Sequence, residues 1–473
     1  MSNPATLQVS FEKGMRREVS RHMLPKDAAW DLRDVVLGGA GLQERGGWTH
    51  ASPDLSTIKA TASYVVSGLV APFSAGDQNL CVDEDGELYK ITSSTVASDL
   101  GALGFAARGG RFYRECVIFT DYWGNNYPKK YNGATISALA GSPPLAKFSS
   151  VFNDWFVLGG TTALPNRVYF SAAGDPESWD TSAAWIDADH KIKGLVTVNR
   201  AILIFTDHGI ERLRGSIAPP ESDITHDTLA VSQAPYITSI VQSGGYVIWA
   251  NRDGVFMTDG ASISDLTLDC GLKRYWQTIA TAGEESSYAG ILGDRYYVIT
   301  MADSAYVIDL PLRRAWRWSN IPARNFWSSG PYLYFGRSDA PYVGELSSTF
   351  EKTAAVKNDA NGTPVASLIE TLYYEGPTGL KTWRAVYPSY YLADAASDNP
   401  TFQLSYILSP ESTSYTNVGS AQAETTEKTR SRVEVNKKSS GIALRLTRSN
   451  AAADFRFYGM DADVFGMERS RTS

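Results

Sequence analysis

The residues of this chain best suited to chemistry are its five histidines and three cysteines, and their spacing argues against it. His22, His50, His190, His208 and His226 lie far apart along the chain, none at a metal-ligand spacing from another His or Cys. Cys81, Cys116 and Cys270 match no zinc pattern, and an odd number is a poor disulfide framework. Three reduced, buried thiols in a protein assembled in a reducing cytoplasm are expected. The run Asp83-Glu84-Asp85-Gly86 opens like a calcium loop, but Ser94 stands where such a loop needs its closing Glu, so a solvated hairpin turn is expected. Asp187 and Asp189, beside His190, form a second acidic pair that a turn also explains. Gly38–Gly47 is glycine-rich but is followed by no strand-turn-helix pattern, and there is no Gly-x-Ser-x-Gly. No catalytic residue, metal ligand or cofactor site is assigned.

Two further groups are candidates for binding. Tyr122, Trp123, Trp179 and Trp185 fall near turns, where their rings could stack on a sugar or a partner; packing between strands is the alternative. Basic residues cluster at Lys13, Arg16, Arg17 and Arg21, and again at Lys428, Arg430, Arg432, Lys437 and Lys438. They suit a solvated strand face, or contact with an acidic partner or DNA.

These residues need elements to hold them, and the composition says which. The 473 residues are 43% hydrophobic, enough for a sizeable core in two or three domains. With 12 Trp, 25 Tyr and 18 Phe against 40 Gly and 21 Pro, strands and tight turns are favoured over helices. A net charge of −7 excludes a chain-wide phosphate-gripping surface. The opening segment has no apolar core of a signal peptide and no stretch is long enough to span a membrane, so a protein soluble when made is expected. The one helical pattern, over 265–281, puts Leu268, Leu272, Tyr275 and Trp276 on one face.

Elsewhere a unit repeats: an apolar strand, a polar turn, then a second strand carrying an aromatic. It occurs at Leu80–Ile91, Cys116–Ala134, Asp154–Ala172, Ala201–Ser216, Tyr246–Ala261, Tyr296–Leu310 and Tyr332–Leu346. Tyr89, Tyr131, Tyr169, Arg212, Met257, Val307 and Val343 are equivalent, about 40 residues apart, which is the period of a β-propeller with one four-stranded blade per repeat. Asp85-Gly86, Asn132-Gly133, Asp253-Gly254 and Asp259-Gly260 supply hairpin turns. Six to eight blades over 51–350 are expected, closed by strands near Leu7–Phe11 or Leu42–Trp48 within an N-terminal arm at 1–50. A polar linker at 351–364 precedes longer alternating strands at 365–473, read as a β-sandwich or jelly roll.

Some propellers are glycosidases, which set two carboxylates against one sugar. Ser171–Trp179 carries its Asp and Gly in the wrong order for the Asp-box of sialidases, and the motif does not recur in other repeats. A polysaccharide hydrolase is therefore the weakest of the readings.

The segment MLPKDAAWDLRDVVLGGAGLQERGGW (Met23–Trp48), with its Arg45-Gly46 pair, resembles the start of tail nozzle (tail tubular B-type) and related tail-associated proteins of tailed bacteriophages. NRVYFSAAGDPESWD (Asn166–Asp180), IKGLVTVNRAILIFTDHGIERLRGS (Ile192–Ser216) and FRFYGMDADVFGMERSR (Phe455–Arg471) are similar to later segments of that family. Glu211 replaces the aromatic usual there, and Arg45-Gly46 lacks the intervening proline often found. The resemblance covers most of the chain through packing motifs. It implies a virion protein, assembled in the host cytoplasm, that forms a homo-oligomeric ring of about six copies at the tail tip. It also implies a tail adaptor and fibre or spike proteins as partners, and passage of double-stranded DNA. Asp83, Glu84, Asp187 and Asp189 are then candidates for an acidic lumen past which a polyanion slides. A receptor- or glycan-binding tail module that meets the host surface is the alternative.

Overall fold

The computed structural model describes residues 5–38, 41–232, 234–280, 287–301, 304–350, 359–360, 365–375, 381–392, 401–418, 422–423, 429–430, 433–448 and 455–466. The protein is all-β, a seven-bladed propeller joined to a β-sandwich. Six blades are antiparallel sheets over 65–102, 107–138, 148–187, 192–231, 241–265 and 289–319. The seventh takes three strands from 323–347 and its fourth, Thr49–His50, from the far end of the chain. Each repeat read in the sequence is the hairpin of the second and third strands of one blade. Tyr89, Tyr131, Tyr169, Arg212, Met257, Val307 and Val343 all lie on third strands. The first strand of blade 7, Ala323–Ser329, packs on that of blade 1, Val65–Phe73, and the ring is complete.

Blade 4 shows why these sequences make blades. Its second strand, Ala201–Thr206, is buried at every position. Ile202 and Ile204 join Val157, Val168 and Phe170 of blade 3 in one cluster, while Leu203 and Phe205 join Val247, Trp249 and Phe256 of blade 5 in another. Alternate side chains point to opposite faces of a strand, so an all-apolar strand needs a neighbour on each side. At about 1.5–3 kcal/mol per buried aliphatic or aromatic side chain, stacking supplies what a lone sheet lacks.

Ring closure falls at a slightly different place from the one expected. Thr49 pairs with Glu345 and His50 with Gly344, while Trp48, fully buried, sets its ring edge-on to Phe335 at 5.4 Å. Leu42 lies instead in the strand Gly41–Glu44, which pairs with the C-terminal strand Phe455–Gly466, as does Ala5–Val9. The arm at 1–50 thus gives most of its strands to the sandwich, and only two residues to the ring.

The sandwich is built from both ends of the chain. One sheet orders Val35–Gly38, Gly41–Glu44, Phe455–Gly466 and Lys381–Leu392, with Val433–Ser439 and Thr429–Arg430 also on the last. The other orders Ala29–Arg33, Leu368–Thr371, Gly441–Arg448 and Thr401–Ile407. It continues into the outer strand of blade 6, Arg314–Ser319, by a parallel pairing of Arg33 with Arg317. Tyr390 of the first sheet meets Phe402 of the second at 5.1 Å, and both belong to a core shared with Tyr296, Trp316 and Trp318 of blade 6.

The helical pattern at 265–281 folds as two short helices, Leu266–Asp269 and Lys273–Ile279. They break at Gly271, whose φ of +65° no regular helix accommodates. Leu272 and Trp276 are buried as the pattern implied, but Leu268, on the first helix, is exposed. No helix among the described residues is long and apolar enough to cross a membrane.

Candidate functional site

The most developed polar construction lies where ring and sandwich meet. Arg45 is buried, and its guanidinium donates through Nε to Asp34 (2.9 Å) and through both terminal nitrogens to Asp359 (2.8 and 3.0 Å). It also donates to the carbonyls of Ser319 (2.8 Å) and Gly46 (3.1 Å), so all five donors have an acceptor. Asp34 further accepts from the amide and hydroxyl of Ser319, and Asp359 from the amide of Trp48 and the side chain of Asn320. Burial alone would lower the Arg45 pKa; Asp359 and then Asp34 outweigh it and hold the guanidinium charged. The Arg-Gly pair of the family resemblance is thus the knot that ties the arm, the end of blade 6 and residue 359 together. That last residue falls in the expected linker, of which 351–358 and 361–364 lie outside the described residues. A cavity of about 70 Å³ beside the knot has room for a few waters only, well below the roughly 300 Å³ of a small-ligand pocket.

Five more ion pairs, on three carboxylates, lie near the knot, and one of them, Asp31–Arg317, crosses from sandwich to ring. Glu44 and Arg448 pair in full burial, with Glu44 also accepting from the Ser367 amide. Asp31 holds Arg317 and Arg17, and Glu370 holds Arg21 (2.9 Å) and Arg445. The N-terminal basic cluster is therefore consumed within the chain rather than presented to a partner. Lys13 pairs with Asp27, Arg16 donates to the Asp269 carbonyl, and Arg17 also lies over the Tyr275 ring at 4.4 Å. Of the second cluster, Lys437 and Lys438 are exposed; Lys428 and Arg432, and the side chain of Arg430, lie outside the described residues.

The aromatic candidates separate into two kinds. Trp123 is 63% exposed, edge-on to Tyr122 at 4.8 Å, on a turn shaped by Asp121, whose carboxylate accepts from the amides of Trp123, Asn125 and Asn126. Trp179 packs on the Tyr113–Ile118–Leu139 cluster between blades 2 and 3 and donates to the Pro176 carbonyl. Trp185 lies under the Arg167 guanidinium at 3.5 Å. The last two serve packing.

The acidic candidates are also of several kinds. Asp83 has no exposed surface; it accepts from the amides of Glu87 and Ser63 and the hydroxyl of Tyr89. Burial pushes its carboxyl pKa up despite those bonds. It organises the turn at Gly86 and cannot line a lumen, which corrects the expectation for this residue. Glu84 pairs with Arg324 at 3.0 Å, and Asp187 takes the fork of Arg167 at 2.7 and 2.9 Å. All three cysteines are free and buried, and burial raises Cys270 to about 12, so none is a reactive thiolate.

Asp189 belongs to a group that sequence spacing hid. Residues 189 and 190 lead into blade 4, 207 and 208 turn between its second and third strands, Glu211 sits on the third strand, and His226 on the fourth. Glu211 is 2% exposed; its Oε2 meets His226 Nε2 at 2.7 Å and the Asp189 amide at 3.0 Å. His190 Nδ1 is 3.6 Å from Glu211 Oε1, and the His190 ring stacks on His208 at 4.3 Å. His208 Nδ1 in turn meets Asp207 at 3.1 Å. The signal available beforehand was Glu211 itself, a carboxylate in the middle of a strand whose neighbours Ile210 and Leu213 are core.

No family model and no curated protein matches this chain. Among solved structures, it is similar to a computationally designed protein, Ika8, at 10% identity and a TM-score of 0.41, over 63% of this chain and 99% of that one. It is similar to BamB from Moraxella catarrhalis at 11% identity and a TM-score of 0.39, over 72% and 98% of the two chains. It is also similar to BBS1N, solved in complex with ARL6DN, at 13% identity and a TM-score of 0.43, over 64% and 97%. Likeness at this level says nothing of function; what the strands themselves establish is that the chain belongs to the all-β proteins as a seven-bladed propeller fused to a sandwich.

Proposed function

We propose that this chain is a structural subunit of a tailed-bacteriophage particle, a nozzle-like protein that repeats as about six copies around the tail axis. In that place it extends the DNA conduit and carries docking surface for a tail adaptor and for fibre or spike proteins. The observation that carries the reading is the interlock of ring and sandwich. The chain starts in the sandwich, builds the ring, and returns to the sandwich, with the buried Arg45 knot and the Asp31–Arg317 pair where the two meet. Domains within one chain commonly move against each other. Here a hinge would part Arg317 of blade 6 from Asp31 of the sandwich, and Ser319 from Arg45 and Asp34, inside the protein, so the unit resists bending, as a conduit wall under DNA pressure must. The resemblance of Met23–Trp48 and Asn166–Ser216 to tail nozzle proteins supplies the setting. Mass spectrometry of purified infectious particles tests it: the intact chain is expected at several copies per particle, and its absence from particles overturns the proposal.

A second reading rests on Trp123, exposed beside the half-buried Tyr122 on a carboxylate-organised turn, a form suited to stacking on a sugar ring. Glycan-array binding that disappears in Trp123→Ala would favour a receptor-binding module; a blank array removes it.

A further inference from the structure

We infer that the edge of blade 4 is a binding site for a divalent transition-metal ion, held by Asp189, Glu211 and His226. The ligand atoms these three residues offer all lie within 4.8 Å of one another. The second observation is the state of Glu211. Its side chain is 3% exposed, yet Oε1 accepts no hydrogen bond from any described group. A buried carboxylate oxygen left bare costs free energy, and a cation is one of the few partners that recover it.

The neighbouring groups fit that use. Two ligands each about 2.0–2.1 Å from a tetrahedral zinc ion are separated by about 3.3 Å. His190 Nδ1 stands 3.6 Å from Glu211 Oε1, close to that separation, although among the described residues only Asp189, Glu211 and His226 bring their ligand atoms mutually within 4.8 Å, so a solvent molecule would complete the set. His226 Nε2 now holds Oε2 at 2.7 Å and must open by roughly half an ångström to share an ion with it. The His208–Asp207 pair, stacked against His190, braces that ring from behind. Two carboxylates with a neutral imidazole balance a divalent ion. Imidazole nitrogen selects zinc, cobalt or nickel over magnesium and calcium, which prefer oxygen alone. The ligands come from the connection entering blade 4, its third strand and its fourth, so the ion would clamp the outer half of the blade. This site stands whatever place the protein has in a particle.

The test uses the full, untagged chain freed of metal with chelator and titrated with zinc chloride alone, read by calorimetry, with cobalt absorption as a second readout. One equivalent should bind in the micromolar range, with a rise in melting temperature and cobalt bands of nitrogen–oxygen coordination; magnesium should not compete. His226→Ala and Asp189→Asn, both at exposed positions, should fold normally and weaken binding at least about ten-fold. Glu211→Gln should abolish it if that variant folds. No saturable zinc binding, or binding unchanged in both His226→Ala and Asp189→Asn, overturns the assignment.

Discussion

Replacing Arg45 by methionine removes the charge and all five donors while keeping much of the volume. In the native knot three of those hydrogen bonds reach the carboxylates of Asp34 and Asp359. Charge-assisted bonds contribute roughly 1.5–3 kcal/mol each, so the three together suggest about 5–9 kcal/mol. That sum overstates the loss, because Arg45 no longer has to be desolvated in the variant. Breaking a buried pair by removing one partner costs about 3–5 kcal/mol, and two carboxylates are stranded here, so the upper end of that range is expected. At about 2 °C per kcal/mol for a large unit, the melting temperature should fall by about 10 °C in a thermal scan at neutral pH. Arg45→Lys should recover only part of the loss, since an ammonium cannot make the two-pronged contact with Asp359. Adding Asp359→Asn to Arg45→Met should be less damaging than the separate losses imply, because one stranded charge goes with it. A melting temperature of Arg45→Met within a degree of the parent would refute the reasoning, and the interlock with it.

Ile204→Asp places a charge between blades 3 and 4 and removes a fully buried side chain, which together cost several kcal/mol, about 4 or more, and should leave the protein insoluble; a soluble, cooperatively melting variant would contradict the blade packing. Glu345, on the ring-closing strand, has its carboxyl pushed above the usual 4.5 by burial, against a hydrogen bond from Tyr334. Its folded form therefore favours the proton, and its ionisation weakens the fold progressively as pH rises through the raised value. Glu345→Gln should melt higher than the parent at pH 7, and the gain should vanish by about pH 4; a gain equal at both pH values would refute the assignment. Deleting residues 1–50 strips both sandwich sheets and blade 7 of strands, so aggregation on purification is expected, and unchanged melting would count against the topology. Assembled rings should bind duplex DNA weakly at physiological salt, because a passage must let a polyanion slide; tight, salt-sensitive binding would mark a clamp instead.

The propeller was legible because its signal is local. A second strand such as Ala201–Thr206, apolar from Ala201 to Phe205, and the turn after it recur at a near-constant period, and each hairpin reports itself without its neighbours. The ring closure and the sandwich depend on pairings across hundreds of residues, and strand periodicity does not name a strand's partner. Leu42 and Thr49 are both strand residues of the arm, yet one joins Phe457 and the other Glu345. Asp359 sits in a stretch whose polarity reads as linker, and only the buried Arg45 explains it. His190, His208 and His226 meet because successive strands of one blade lie side by side. Each is a strand or turn further across the blade, a separation that no ligand-spacing rule anticipates. Asp83 misled for the opposite reason: its acidic neighbours suggest solvent, while its own carboxylate is turned inward to hold a hairpin.

A symmetry-expanded electron cryomicroscopy map of the purified particle tail tests the proposed conduit role. Density is expected for a seven-bladed ring and fused sandwich, repeated about the tail axis, with Arg45 between Asp34 and Asp359 in each copy. A tail whose map is fully assigned to other chains, with no such density along the axis, would contradict it.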